Sequence, residues 1–494
     1  MLTTERAHDL AGRLQHAGYT YEEVADRLGA AGLAGLARNS TVPAARALSG
    51  ADDPQATLIR CFALQQPVVG AALAAAIGAD LATHRSLTIT DGDDTRAAIE
   101  IRPYAWDDPD GTHAGWLASD LTPTLDGRLS PPNPDFVLGL SPASVTLAQL
   151  TMRTPVGRSL DLGTGCGIQS VHLAGHSDTV VATDLNPRAC AMTRLTAALN
   201  GLDLDVREGS LYEPVQDESF DLIVTNPPYV MSPPDERRLV YREGAHTADG
   251  LMRAVVQNAP ARLKPGGALQ VLGNWAITAD QPWPERLRSW IEAAGCDALV
   301  LQREQLDPYE YIEIWLADAG LVGTTEYGHR YTEWVDYFEA LGIVGVGMGW
   351  LTLYRTGRAH PEITIESWPH QVHQPVGAAF AGYPAAISIA QLPDDALLAT
   401  ALTVASDVTQ ESLGRPGAED PEHLVLRSST GFGRAHEVDT ALAALVGACD
   451  GELPLGPLIG AVAGLLGHDP DELAADLLPR LRRLVKEGFL LAAQ

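Results

Sequence analysis

Between residues 140 and 357 short apolar runs alternate with helical patterns, and this alternation constrains the fold more than any other feature. GRSLDLGTG, TVVATDLN, LDVREGS, FDLIVTN, GALQVLG, DALVLQRE and GVGMGWLTLYR read as strands, each short, apolar and bounded by turn residues. DPYEYIEIWLADAG and YTEWVDYFEALG supply helical stretches between the last two. Strands alternating with helices predict a doubly wound α/β sheet covered on both faces.

The flanks differ. Residues 1 to about 80 pattern as short helices, with Leu10 and Leu14, then Val24 and Leu28, at helical spacing and Thr20 as a helix start. LTITDGDDTRAAIEIRPY follows, and its apolar alternation around Asp91-Gly92 predicts a hairpin. GWLASDL adds a candidate strand, and the Pro- and Gly-rich LDGRLSPPNPDFVLG reads as a linker. Beyond residue 358 the pattern is less regular and ends in helices with a short wing. We therefore expect a helical, winged-helix-like domain over 1–125, an α/β domain over 135–357 and an accessory, winged-helix-like domain over 358–494.

A chain of 494 residues, 46% hydrophobic, is too long for one ordinary domain. Its net charge of -29 weighs against general nucleic-acid binding, which draws on cationic contacts to phosphate. Arg480, Arg482, Arg483 and Lys486 form a small basic cluster near the end, read first as a solvated face. The five cysteines are scattered without a Cys-x-x-Cys pair, and no run of about 18 apolar residues occurs. The expectation is a cytoplasmic protein with no membrane span and no metal. His360, His370 and His373 lie among prolines that oppose the helix a metal pair would need.

Chemistry concentrates at two strand ends. Asp161-Leu162-Gly163-Thr164-Gly165-Cys166-Gly167 follows the first strand, where glycines let a backbone turn tightly and approach a ligand. Asp184 ends the next strand, roughly 20 residues on, where an acidic side chain accepts from ribose hydroxyls. The competing reading has Asp184 only capping the helix that starts near Pro187. At the fourth strand, Asn226-Pro227-Pro228-Tyr229 stops the chain with two residues that cannot continue a ladder.

The loop spacing resembles the first motif of class I S-adenosylmethionine-dependent methyltransferases. That resemblance implies a Rossmann-like domain, S-adenosylmethionine as cofactor, and contact through Asp161, Gly163, Thr164, Gly165, Gly167 and Asn226. It implies further that Asp184 grips the ribose and that Ser210 and Leu211 flank the adenine, Ser210 standing where many members have Asp. Asn226 to Tyr229 matches the Asn/Asp-Pro-Pro-Tyr/Phe motif of amino- and amide-nitrogen methyltransferases. There the Asn226 side-chain oxygen and the Pro227 carbonyl accept the two N–H bonds of a planar nitrogen and aim its lone pair at the methyl group. Pro227 and Pro228 hold these acceptors rigid, and Tyr229 offers a face for stacking.

Residues 135 to 275, with the LKPGG turn, are similar to release-factor glutamine methyltransferases and small-domain rRNA guanine methyltransferases. The implied acceptor is a protein glutamine or an RNA or DNA base. A small-metabolite N-methyltransferase and a catalytically silent binding protein stay open beside it. Trp275, Trp283 and Trp290 are placed first in the core and second along a substrate cleft.

Overall fold

The computed structural model describes residues 1–108, 111–123, 125–127, 133–234, 247–415 and 422–493. The chain divides into two compact units, one of Met1–Ala148 with Pro155–Trp368 and one of Gln149–Thr154 with Pro369–Gln494.

An eight-stranded sheet organises the first unit. Its strands, numbered in chain order, are β1 (Val156–Leu162), β2 (Ser177–Asp184), β3 (Leu204–Glu208), β4 (Phe220–Thr225), β5 (Leu263–Thr278), β6 (Asp297–Leu306), β7 (Ile343–Tyr354) and β8 (Ile363–Ser367). Their order across the sheet is β8-β6-β7-β5-β4-β1-β2-β3. β7 runs antiparallel to both neighbours, and the other pairings are parallel. All seven predicted strands are present, in a doubly wound, Rossmann-like arrangement. β8 lies past residue 357 and adds an edge the sequence did not announce.

Helices named in this unit are α1 (Pro142–Leu150), α2 (Ile168–Ala174), α3 (Pro187–Leu199), α4 (Gly250–Asn258), α5 (Trp283–Ala294), α6 (Pro308–Asp318) and α7 (Tyr327–Ala340). The centre of β2 reads Val180-Val181-Ala182, all buried, as a strand covered on both faces must be. One face packs α4 and α5 through Val255, Leu287 and Ile291. Trp275 and Trp290 are buried in that cluster and Trp283 stacks on Trp275, so all three belong to the core.

The first 120 residues share a core with α2 and α3. Leu10, Leu14 and Phe62 cluster with Ile168, Met192 and Leu195 of α2 and α3. The expected hairpin is there, Asp91 pairing with Asp94 across Gly92, whose φ of +61° suits only a residue without Cβ strain. The GWLASDL strand is Gly111–Ser119, paired with Glu100–Asp108. Its outer edge is met by side chains: Trp116 N donates to Asn200 Oδ1 at 2.9 Å, and Asn200 Nδ2 returns a bond to Trp116 O at 2.7 Å. Ala118 N donates to Thr196 Oγ1 at 3.0 Å. Of the expected linker, residues 128–132 lie outside the described residues, and its flanks are fastened. Asp126 accepts from Thr41 N, and Asp120 accepts from Val137 N and Arg188.

Among the described residues, the second unit holds two three-stranded sheets and four longer helices, with Leu477, Leu481 and Phe489 at its core. Its last strand, Leu490–Ala492, pairs with Ala401–Val404. The arginines of the basic cluster are engaged: Arg480 with Asp439, Arg482 with Asp394 and Arg483 with Glu487.

Candidate active site at the β1 and β4 strand ends

The direction of winding reverses between β1 and β4, since β1 has β2 on one side and β4 on the other. A crevice opens at such a switch point, beyond the carboxyl ends of the strands. The glycine loop leaves β1 and the Asn-Pro-Pro-Tyr corner leaves β4, so the fold brings the two predicted motifs to one place. Thr225 Oγ1 donates to Leu162 O at 2.7 Å and ties the two exits together.

Gly163, Gly165 and Gly167 have φ of +78°, +58° and +85°, a conformation that strains any side chain. They do different things. A Cβ on Gly163 or Gly165 meets nothing within 4 Å, whereas one on Gly167 lies 3.2 Å from Thr193 Cγ2. The first two thus border open space, and the third seats α2 against α3. Gly163 N and Thr164 N both donate to Thr183 O, at 2.8 and 2.9 Å.

Asp161 stands behind this loop, 1% exposed. Its Oδ2 accepts from Thr164 Oγ1 at 2.7 Å, Ser170 N at 2.9 Å and Ser170 Oγ at 2.6 Å. Burial pushes its carboxyl up to about 6, against those bonds. Asp184 ends β2 facing the loop, accepting from Gly165 N at 2.9 Å and from Asn186 N at 2.8 Å. Burial raises its pKa while these backbone amides hold it down. The cap of α3 is Asn186, which accepts from Arg188 N at 2.9 Å.

Gly209 N donates to Asp184 O at 2.9 Å, bringing the turn after β3 beside Asp184. In that turn Ser210 O accepts from Glu213 N, and Leu211 has φ of +47°. A γ-branched residue held in the left-handed region is strained, and such strain clusters at ligand sites.

At the corner, Asn226 Oδ1 is shielded from solvent and has no hydrogen-bond partner among the described residues. Buried acceptors of this kind are rare in folded chains and ask for a donor from elsewhere. Tyr229 packs edge-to-face on Trp315, ring centroids 6.2 Å apart, and burial pushes its hydroxyl up to about 12. Beyond it, Met231 N donates to the Tyr311 hydroxyl at 3.0 Å, and Asn274 Nδ2 to the same oxygen at 2.9 Å. Asn274 Oδ1, fully buried, has no partner among the described residues either. Tyr311, Trp315 and Asn274 escaped the sequence reading. The signal for Asn274 was a lone amide inside an apolar strand. Tyr311 and Trp315 sit on an inserted helix with no motif. Residues 235–246, next along from the corner, lie outside the described residues. Among the described residues no group of three or more His, Cys, Asp or Glu side chains is placed to hold a metal ion, and no helix is long and apolar enough to cross a membrane.

Residues 139–293 match the methyltransferase small domain family. Residues 16–98 and 389–492 match two domains of unknown function, DUF7059 and DUF7782. Among curated proteins, the chain is 33% identical over 161 residues to the ribosomal protein uL3 glutamine methyltransferase of Bradyrhizobium diazoefficiens, covering 30% of this chain and 50% of the relative. It is 38% identical over 160 residues to the release factor glutamine methyltransferase of Deinococcus radiodurans, covering 30% and 54%. To the ribosomal RNA small subunit methyltransferase C of Salmonella arizonae it is 32% identical over 147 residues, covering 29% and 38%. The matched region thus spans about half, or less, of each relative's length. A solved structure of the T. thermophilus 16S rRNA N2 G1207 methyltransferase, in complex with AdoMet and guanosine, aligns with a TM-score of 0.27 at 20% identity, over 43% of this chain and 54% of that one.

Proposed function

We propose that this chain, whose residues 139–293 match the methyltransferase small domain, transfers a methyl group from S-adenosylmethionine to an amide or exocyclic amino nitrogen of a macromolecule. The acceptor class is a protein glutamine side chain or a nucleic-acid base. The single observation that carries this is the buried Asn226 Oδ1 at the switch point, without a partner among the described residues. An acceptor oxygen there suits a substrate nitrogen that brings its own N–H.

The residues fit the cofactor. Open space beside Gly163 and Gly165 admits a ligand against the backbone, and Thr164 stiffens the loop through Asp161. Asp184 is not the helix cap, and each of its carboxylate oxygens has capacity for a ribose hydroxyl beyond its one backbone donor. Ser210 and Leu211 flank the adenine, and Gly167 and Asp161 act as braces. S-adenosylmethionine supplies an electrophilic methyl group when bound. Asn226 Oδ1 and the Pro227 carbonyl accept the two N–H bonds of the acceptor nitrogen, so its lone pair points away from both. Pro227 and Pro228 keep those acceptors in place, and Tyr229, backed by Trp315, stacks on the planar group. We place the reaction in the cytoplasm, in keeping with five free, buried cysteines. The division into 1–125, 135–357 and 358–494 belongs to the same proposal.

Two measurements test it. Calorimetry with S-adenosylmethionine should show binding that Asp184→Ala weakens ~10- to 100-fold, the loss of charged hydrogen bonds worth about 1.5–3 kcal/mol. Labelled methyl transfer into separated protein, RNA, DNA and small-molecule fractions identifies the acceptor. Absence of cofactor binding, or label confined to small molecules, overturns the proposal.

A further inference from the structure

Residues 135–144 are fastened at both ends. Asn186 Nδ2 donates to Asp135 O at 2.8 Å, just past the Asp184 turn. Gln169 Nε2 donates to Ser144 O at 2.7 Å, at the start of α2. Between these bonds the segment passes from the carboxyl end of β2 to the first turn of α2. The glycine loop makes the companion route, from β1 to that same turn. The two frame the same stretch of the fold, with Asp184 beside the first bond and Gln169 making the second.

Gln169 is 4% exposed. Its bond to Ser144 turns the amide nitrogen to α1 and the oxygen away, and Oε1 has no partner among the described residues. The next polar group, Ser170, is committed to Asp161 through both its amide and its hydroxyl. A buried oxygen left without a donor is costly, so the site suits a donor that arrives with a ligand.

Resting on the cofactor reading above, we infer that Gln169 Oε1 accepts a hydrogen bond from the α-ammonium of the methyl donor's amino-acid end. With the ribose at Asp184, the nucleoside lies beside the first bond and the donor's amino-acid end extends toward the second. That end carries an ammonium with three donors and a carboxylate with none. An acceptor oxygen fits the first and repels the second. Gln169 is therefore a ligand-orienting residue and fixes which way round the amino acid lies.

The test is a double-mutant cycle between protein and ligand, read by calorimetry on the intact chain. The probes are S-adenosylhomocysteine and its desamino analogue, which lacks only the amino group. Wild type should bind the desamino compound ~10-fold or more weakly, as expected for one hydrogen bond to a charged group. In Gln169→Met the gap should fall below about threefold, and in Gln169→Glu it should widen, since a carboxylate attracts the ammonium more strongly. A gap that persists in Gln169→Met, or no gap in wild type, overturns the inference while leaving the cofactor reading intact. If Gln169→Met does not fold, wild type and Gln169→Glu decide by the same comparison. A wild-type chain that binds neither probe sinks the cofactor reading and this inference together.

Discussion

Asn226→Leu is the sharpest perturbation, because it moves stability and activity in opposite directions. In the ligand-free chain Asn226 Oδ1 is hidden from solvent without a donor among the described residues. Such an oxygen costs about 1–3 kcal/mol, and leucine of similar size removes that cost. The change also forfeits what the amide nitrogen contributes, ~0.5–1.5 kcal/mol for an ordinary hydrogen bond. The net effect on folding lies between neutral and about 2 kcal/mol of stabilisation. Urea unfolding followed by fluorescence should then show the midpoint unchanged or raised, with an unchanged slope. Methyl transfer should fall ~10²- to 10³-fold in kcat, the usual loss for one preorganised group facing developing charge. Affinity for S-adenosylmethionine should hold within about twofold. A midpoint shift worth more than about 1 kcal/mol of lost stability would mean Oδ1 is already satisfied within the fold. Transfer at the wild-type rate would mean the corner is only a strand end.

Leu211→Gly should destabilise the chain by only ~1 kcal/mol in urea, because relief of the strain at φ of +47° offsets glycine's entropic cost and leaves the lost packing against the core. Gly167→Ala should destabilise by more than ~1 kcal/mol, since its Cβ adds left-handed strain to a 3.2 Å approach to Thr193. Asp161 gives a pH signature. Its folded pKa, about 6, lies above the ordinary range of an aspartate, so its contribution is fully present below pH ~4 and lost as pH rises through 6. The loss is at most about 3 kcal/mol, and Asp161→Asn should flatten that part of the stability profile measured from pH 4 to 8.

Most of the central sheet was legible because hydrophobic runs, glycine turns and proline stops are local signals. β1 to β7 each carry one, and β2 announces itself through three consecutive buried aliphatics. The candidate site was legible to the extent that it is backbone geometry at strand ends: Gly163, Gly165, Asp184 and Asn226 lie at the ends of neighbouring strands where the winding reverses at β1. Sequence could not separate the glycines into two that border open space and one that packs, since this depends on Thr193, 26 positions from Gly167 in chain order. Nor could it find Tyr311, whose hydroxyl joins the corner to β5 only through an inserted helix. β8 was missed because ITIES is short, half-polar and follows a break in the pattern.

The edge of strand Gly111–Ser119 has one more consequence. Of the groups that satisfy it, Thr196 belongs to α3 and Asn200 caps that helix's C-terminus, and the Trp116–Asn200 bonds span 84 positions. On a ribosome adding roughly 5–20 residues per second, Trp116 is made about 4–17 seconds before its partner. During that interval the hairpin presents an open row of amides, the kind of surface that recruits strands from neighbouring nascent chains. The first 120 residues, though synthesised first, are finished by a helix that comes later. Order of birth and order of completion are inverted in this protein, and its solubility during synthesis hangs on how quickly α3 arrives.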